Sequence, residues 1–335
     1  MAPAGKPENE KDGVLIEYAK RRPVRSLESL LEARRRRPVS EVATVMFTSG
    51  STGRPKGVSF SSYHLVSKRF ARAAALPDVG DDEVFLSFLP LYHTFGRYLE
   101  LLGMIYWRGT YVFAGNPSAD TLFTLFPKVN PTGFISVPVR WAQLYERCLE
   151  KLDETSGADR KSVIRSVVGQ RLRWGLSAAG YLDPRVFRFF EQEGINLSSG
   201  FGMTEGTGGI TMTPPGRYVD NTHGLPLPGV RLRLGRDSEL EASGHYIAPY
   251  LEAAGPGSLI PFPENPETDY WLQTGDIFRR LSNGYYQIID RIKDIYKNNR
   301  GQTIAPRKVE DKFIGVPGIK RTFLVGDGRP TNVLF

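Results

Sequence analysis

Between Val42 and Gly200 the chain alternates, and that alternation constrains its fold more than any other feature. Short runs rich in β-branched and aromatic residues read as strands: Val42–Thr48, Val84–Leu89, Thr110–Phe113, Gly133–Val137 and Leu172–Leu176. Between them lie segments with apolar residues at helical spacing: Ser62–Ala75, Phe95–Trp107, Ala119–Lys128, Arg140–Leu152 and Pro184–Glu193. Asp183-Pro184 adds a capping carboxylate followed by a proline in the first turn. Strands that alternate with helices predict a parallel, layered sheet, because a parallel neighbour is reached only by a long crossover. After Asn221 the helical period fades. Short runs at Leu225–Val230, Val230–Leu234, Leu240–Ala242, Trp271-Leu272 and Tyr285–Ile289, broken by Gly and Pro, predict a smaller β-rich unit. Gly255–Asp269, with four prolines, reads as a loop.

Composition removes several functional classes. The 335 residues are 40% hydrophobic, enough to bury a sizeable core. The one cysteine, Cys148, allows no intrachain disulfide and sits in a helical apolar pattern, where packing is its expected role. No apolar segment follows Met1, so no secretory signal is expected, and the run Leu101–Trp107 is too short to span a bilayer. The four histidines show no metal-ligand spacing, and no nucleophile elbow is present. The net charge of +8 suits either an anionic ligand or a solvated basic face. The basic run Arg34–Arg37 reads as a solvated helix end rather than a nucleic-acid patch.

The run Thr44–Val58 carries the chemistry. An apolar strand ends in Thr48 and the small residues Ser49, Gly50, Ser51, Thr52 and Gly53, then Lys56. Glycines admit close backbone approach to a ligand, successive N–H groups can wrap phosphate oxygens, and a lysine adds a point charge. The spacing is not the Walker pattern. It resembles the phosphate-binding loop of the acyl-adenylate-forming (AMP-binding) superfamily, and its place after a strand suits the rule that ligands sit at the carboxyl ends of parallel strands. Five further segments resemble that superfamily in its order. Phe88–Arg97, with His93, is similar to the segment lining the acyl pocket. Leu172–Pro184, with Ala178, Ala179 and Gly180, resembles the small-residue turn that admits adenine, although Ala178-Ala179 departs from the usual glycines. Gly200–Glu205 resembles the Tyr-Gly-Met/Leu-Thr-Glu motif, with Phe201 in place of tyrosine. Tyr270–Asp276 and Ile288–Lys297 resemble the ribose-binding and hinge segments. Ser136–Arg147, Gly301–Glu310 and Val325–Pro330 are most like the long-chain fatty acyl-CoA synthetase branch. Taken singly, several of these are ordinary turns. Their order makes the resemblance specific.

The resemblance implies roles. Thr48 to Gly53 and Lys56 would hold phosphates. Ala178, Ala179, Gly180, Ser199, Gly200, Phe201, Gly202, Met203 and Ile288 would surround the nucleotide, with Phe201 stacking on adenine. Thr204 would contact the α-phosphate, and Glu205 would help hold Mg²⁺, which prefers a carboxylate plus phosphates. Asp276 would accept ribose hydroxyls and Arg291 would contact ribose or phosphate. Lys293 would be the pivot between half-reactions, while His93 and Gly200 would face the acyl substrate. The implied cofactors are ATP/AMP, Mg²⁺ and CoA. The implied reaction joins a long-chain fatty acid to AMP and then to CoA.

Expected segments are a leader and N-terminal remnant (1–40), an α/β AMP-binding core (41–220), a β-rich subdomain (221–292), and a hinge with the beginning of a C-terminal α+β domain (293–335). Less sequence precedes the loop than in the family. No residue matches the family's distal lysine, because Lys308 and Lys320 fall too early. The chain is therefore expected to be truncated, with impaired turnover. A fatty acyl-adenylate-forming component completed by a separate polypeptide or acyl carrier, and a non-catalytic nucleotide-binding module, stay open beside that reading. A cytoplasmic location is expected, with any membrane contact peripheral and no nucleic-acid partner.

Overall fold

The computed structural model describes residues 26–48, 55–250, 270–297, 302–314, 316, 318–319, 321–327, 329 and 331–335. The glycine-rich residues Ser49 to Gly53, the Gly255–Asp269 loop and Gly301 lie outside the described residues.

The central sheet has seven strands in the order β4-β3-β5-β6-β7-β8-β9. These are β3 (Val84–Ser87), β4 (Thr110–Phe113), β5 (Gly133–Ser136), β6 (Trp174–Ala178), β7 (Asn196–Met203), β8 (Gly208–Met212) and β9 (Leu225–Pro226). Strands β4 through β7 pair in parallel, and β8 and β9 add antiparallel. A separate antiparallel sheet joins β10 (Val230–Leu234), β11 (Glu239–Gly244), β12 (Leu272–Arg280) and β13 (Tyr286–Arg291). The layered α/β sheet with a β-rich appendage is therefore as expected.

Helix α1 (Leu27–Arg35) comes first in the chain. Helices α2 (Ser62–Ala75), α3 (Leu102–Trp107), α4 (Ala119–Val129), α5 (Pro138–Glu154), α6 (Arg160–Val168) and α7 (Pro184–Gln192) cover the two faces of the central sheet. Helix α8 (Pro306–Glu310) packs on β13 instead. Neighbouring strand residues point to opposite faces, so Phe85 and Leu86 enter different cores. Phe85 joins Ala71, Met104 and Trp107, whereas Leu86 joins Trp141, Leu144, Cys148 and Phe190. Gly175 makes room for Trp141: a Cβ there would lie 2.3 Å from the indole ring, whose Nε1 donates to the Leu176 carbonyl at 3.2 Å. Cys148 is fully buried, and burial pushes its thiol up to about 12, which suits packing rather than chemistry.

Several local expectations change. The strand Val42–Thr48 (β1) is not part of the parallel sheet. It pairs antiparallel with β2 (Lys56–Ser61) in a ladder of its own. The loop between Thr48 and Lys56 thus connects a hairpin rather than a strand and a crossover helix. The reason is that Gly57–Phe60, hidden behind the glycine-rich run, is itself fully buried strand. Phe95–Trp107 is continuous but begins as a π-helix over Phe95–Leu101 before tightening into α3. Strand β7 and helix α6 were not among the expected elements.

Candidate active site

Strands β6 and β7 run side by side with Ser177 opposite Ser199 and Ala178 opposite Gly200. The chain leaves β6 through Ala179 at φ +69°, a left-handed conformation that costs a residue bearing Cβ about 1 kcal/mol. Strand β8 folds back on β7 with an irregularity between Phe201 and Gly202. Gly202 is required there, because a Cβ would sit 1.8 Å from the Gly208 carbonyl oxygen. Thr204–Gly206 then forms a single 3₁₀ turn, closed by Thr207 at φ +52°, a rare conformation for a β-branched residue. The Thr207 hydroxyl donates to the Tyr246 carbonyl at 2.6 Å, which holds the turn.

This geometry gathers residues from three distant segments around one cavity of about 340 Å³. His93, Ala178, Ala179, Gly200, Phe201, Gly202, Met203 and Thr204 all line it. His93 is exposed and its ring lies 4.9 Å from that of Tyr92. Gly180, Ser199 and Ile288 instead line an adjoining cavity of about 300 Å³ with Tyr181, His223 and Arg307. The proposed nucleotide residues are thus divided between two cavities, because Ser199 and Gly200 face opposite sides of β7.

The acidic and basic residues lie just beyond. Glu205 is buried, and its Oε1 accepts a hydrogen bond from the Tyr250 hydroxyl at 2.7 Å. Lys56 Nζ stands 4.9 Å from the centre of the Tyr250 ring. Tyr250 is itself bridged to Val58. Tyr250 therefore ties the lysine at the end of the glycine-rich run to the carboxylate of the Thr-Glu turn. Burial, then the Glu205 contact, raises the phenol well above its ordinary value. Thr48 pairs with Lys56 across β1 and β2.

On the antiparallel sheet, register places Asp276 of β12 directly opposite Arg291 of β13. Arg291 Nε lies 3.3 Å from Asp276 Oδ1, an ion pair without hydrogen-bond alignment, so this buried oxygen has no hydrogen-bond partner among the described residues. Burial raises the Asp276 carboxyl above its usual range, and Arg291 draws it partly back. The ring of Phe278 packs edge-on against Phe201 at 4.8 Å, which docks β12 against β7. Lys293 lies apart, exposed in the turn after β13.

Three residues escaped sequence reasoning. Tyr250 carries no pattern of its own. Asp290 is buried and accepts the backbone N–H of Arg291 at 2.8 Å and of Arg307 at 3.2 Å, so it clips the start of α8 to β13. Arg72 enters the first cavity from α2. Its signal was visible, since Lys68 and Arg72 at i, i+4 share one helix face. Among the described residues, no group of three or more His, Cys, Asp or Glu could hold a metal ion. A single carboxylate, Glu205, fits a magnesium ion that would take its remaining ligands from phosphates and water. The orphaned Asp276 oxygen fits a ribose hydroxyl.

Comparison with known proteins bears on the family and the fold. The family profile for AMP-binding enzyme matches residues 4–245. Long-chain-fatty-acid–CoA ligase 1 of Homo sapiens is 27% identical over 350 residues, covering 91% of this chain and 49% of its own length. Long-chain-fatty-acid–CoA ligase FadD15 of Mycobacterium bovis is 25% identical over 327 residues, covering 87% of this chain and 53% of its own. The chain spans about half the length of the curated relatives it matches. Among solved structures, O-succinylbenzoate coenzyme A synthetase from Bacillus subtilis, in complex with ATP and magnesium ion, aligns with a TM-score of 0.69. It is 22% identical, and the alignment covers 89% of this chain and 60% of the other. ATP-bound MatB from Rhodopseudomonas palustris aligns with a TM-score of 0.67 at 23% identity, covering 89% and 59%. These two likenesses concern the fold. No described helix is long and apolar enough to cross a membrane.

Proposed function

The chain belongs to the AMP-binding enzyme family, and from that premise we propose that it supplies the nucleotide and acyl surface of a ligase that activates a fatty acid as its acyl-adenylate and then as its CoA thioester. The observation that carries the reading is the convergence of His93, the Ala178-Ala179 turn and Gly200–Thr204 on one cavity, with Glu205 and Lys56 joined through Tyr250 beside it. In the first step a substrate carboxylate oxygen bonds to the α-phosphorus of ATP and pyrophosphate leaves. In the second the CoA sulfur bonds to the acyl carbon and AMP leaves. The protein's work in such a transfer is positioning and charge stabilisation.

On this reading Thr204 orients the α-phosphate, and Glu205 would help hold Mg²⁺, which would supply charge neutralisation when bound. Asp276 accepts the ribose hydroxyls, Arg291 steadies ribose or phosphate, and Lys293 is the pivot. Residues 41–220 and 221–292 would form the nucleotide-binding body, with 293–335 beginning the part that moves. The long-chain identity of the acid, CoA as acceptor, and completion by a second polypeptide belong to the proposal. They draw support from the ligase relatives.

The test is calorimetric titration of AMP and of Mg·ATP, with pyrophosphate release followed in parallel. Asp276→Ala should weaken AMP binding about tenfold, the worth of hydrogen bonds to a charged group, while leaving the fold intact. Unchanged AMP affinity would remove its ribose role. Glu205→Gln should abolish the magnesium dependence of nucleotide binding with little loss of stability, because the amide still accepts from Tyr250. A large drop in melting temperature would make Glu205 a structural residue instead.

A further inference from the structure

Helix α2 buries three cations, Lys68, Arg69 and Arg72. Isolated buried charges are costly and are normally paired with an acid. No ion pair joins any of the three to a carboxylate among the described residues. Lys68 is satisfied otherwise: Nζ donates to the carbonyls of Gly206 and Gly209 and lies 3.9 Å from the centre of the Tyr246 ring. Arg69 donates to the Leu99 carbonyl at 3.5 Å and lies away from the cavity.

Arg72 differs. It is 2% exposed and lines the cavity beside His93 and Thr204. Its Nη1 meets only the Met212 sulfur, at 3.2 Å, a weak acceptor, and its Nε has no hydrogen-bond partner. The Nη2 end of the guanidinium abuts Gly209, where a Cβ would come within 2.0 Å of it, so the strand is kept bare to admit it. Burial lowers Arg72 to about 10, which leaves it charged at neutral pH. The remaining walls are mostly apolar, including Leu89, Phe95, Val137, Leu176 and Met203. A buried fork of donors in an otherwise greasy cavity is matched by a planar anion, and carboxylate is the anion of that geometry.

We propose that the cavity takes an acyl substrate carrying a second carboxylate, received by Arg72 while the first is presented to Thr204. The ligand class is an α,ω-dicarboxylic acid. This assignment rests on the reading of the cavity as an acyl site.

The experiment is calorimetric titration of the full chain with octanedioic acid, octanoic acid and the monomethyl ester of octanedioic acid, with wild type and Arg72→Met compared. The diacid should bind about tenfold to a hundredfold more tightly than octanoic acid. The ester should behave like octanoic acid, and the preference should vanish in Arg72→Met. Equal binding of diacid and monoacid by wild type, absence of diacid binding, or a preference that survives in Arg72→Met overturns the assignment. Should Arg72→Met fail to fold, Arg72→Lys keeps the charge but loses the fork and should show a reduced preference; an undiminished one overturns it. AMP titrated separately reports on the nucleotide site. Loss of AMP binding with the diacid preference intact would sink the adenylation reading and leave Arg72 its role.

Discussion

Helices α2 and α5 cover the same sheet and are built on opposite plans. Helix α5 turns Trp141, Leu144 and Cys148 inward and leaves Arg147, Glu150, Lys151 and Glu154 to pair in solvent. Helix α2 turns His64, Lys68, Arg69 and Arg72 inward, and leaves Val66 at 52% and Phe70 at 61% exposure. Amphipathicity alone would orient α2 the other way. A face that is polar and buried is paid for only where something else needs it, and α2 is the helix whose inner face reaches the cavity. The inverted helix therefore marks the functional side of the sheet, and the ordinary one marks its structural side.

The contrast can be broken most sharply on the structural side. Trp141→Ala removes a fully buried indole and its hydrogen bond, and should cost about 3–5 kcal/mol by denaturant unfolding. A cost near 1 kcal/mol would show that α5 is not the anchor its packing implies.

Next in size is the acid sensitivity of α2. Its cap is a reciprocal box: Ser61 accepts the His64 N–H at 3.3 Å, and His64 Nδ1 accepts the Ser61 N–H at 3.2 Å. His64 must be neutral to accept, and burial lowers it from 6.5 to about 4. On acidification the unfolded chain binds this proton first, near pH 6.5. Stability should therefore be fully present above that value and fall as pH drops towards 4, by up to about 3 kcal/mol. Burial lowers His223 to about 4 as well, and its neighbour Arg307 adds to the effect. His64→Gln keeps an acceptor at the third helical position and abolishes only its own share, so the melting temperature of the variant should gain steadily on that of wild type between pH 6.5 and 4. A pH-independent difference would refute the assignment.

Smallest is the outer face of α2. Phe70 touches the Tyr106 ring at 5.8 Å and is otherwise exposed. Phe70→Ser should change stability by less than about 1 kcal/mol. A loss of several kcal/mol would mean that this face is covered in solution, and the inversion would become a matter of burial on both sides.

Much of this was legible in the chain. The strand and helix alternation predicted a parallel sheet, and five of its strands pair that way. The ordered motifs predicted a set of residues near one site; His93, Ala178, Ala179 and Gly200–Thr204 line one cavity, while Gly180, Ser199 and Ile288 line another. Local pattern failed where a strand hides among small polar residues, as in Lys56–Ser61, whose Ser59 and Ser61 are buried by their neighbours rather than by hydrophobicity. It also failed where a side chain acts across the fold. Tyr250 reaches Glu205 over a long sequence separation, and nothing around it in the chain announces the contact.

What local sequence settles here is backbone conformation and the inventory of chemistry: where strands and helices start, which glycines allow close approach, which acids and bases are available. Those depend on neighbours a few residues apart, through sterics and short-range hydrogen bonds. The three-dimensional fold alone decides that β1 leaves the main sheet for a hairpin, that Ser199 and Gly200 serve different cavities, that Asp276 faces Arg291, and that α2 buries its cations. Those outcomes depend on register and on which surfaces meet, and a buried arginine differs from an exposed one only in what the rest of the chain places around it.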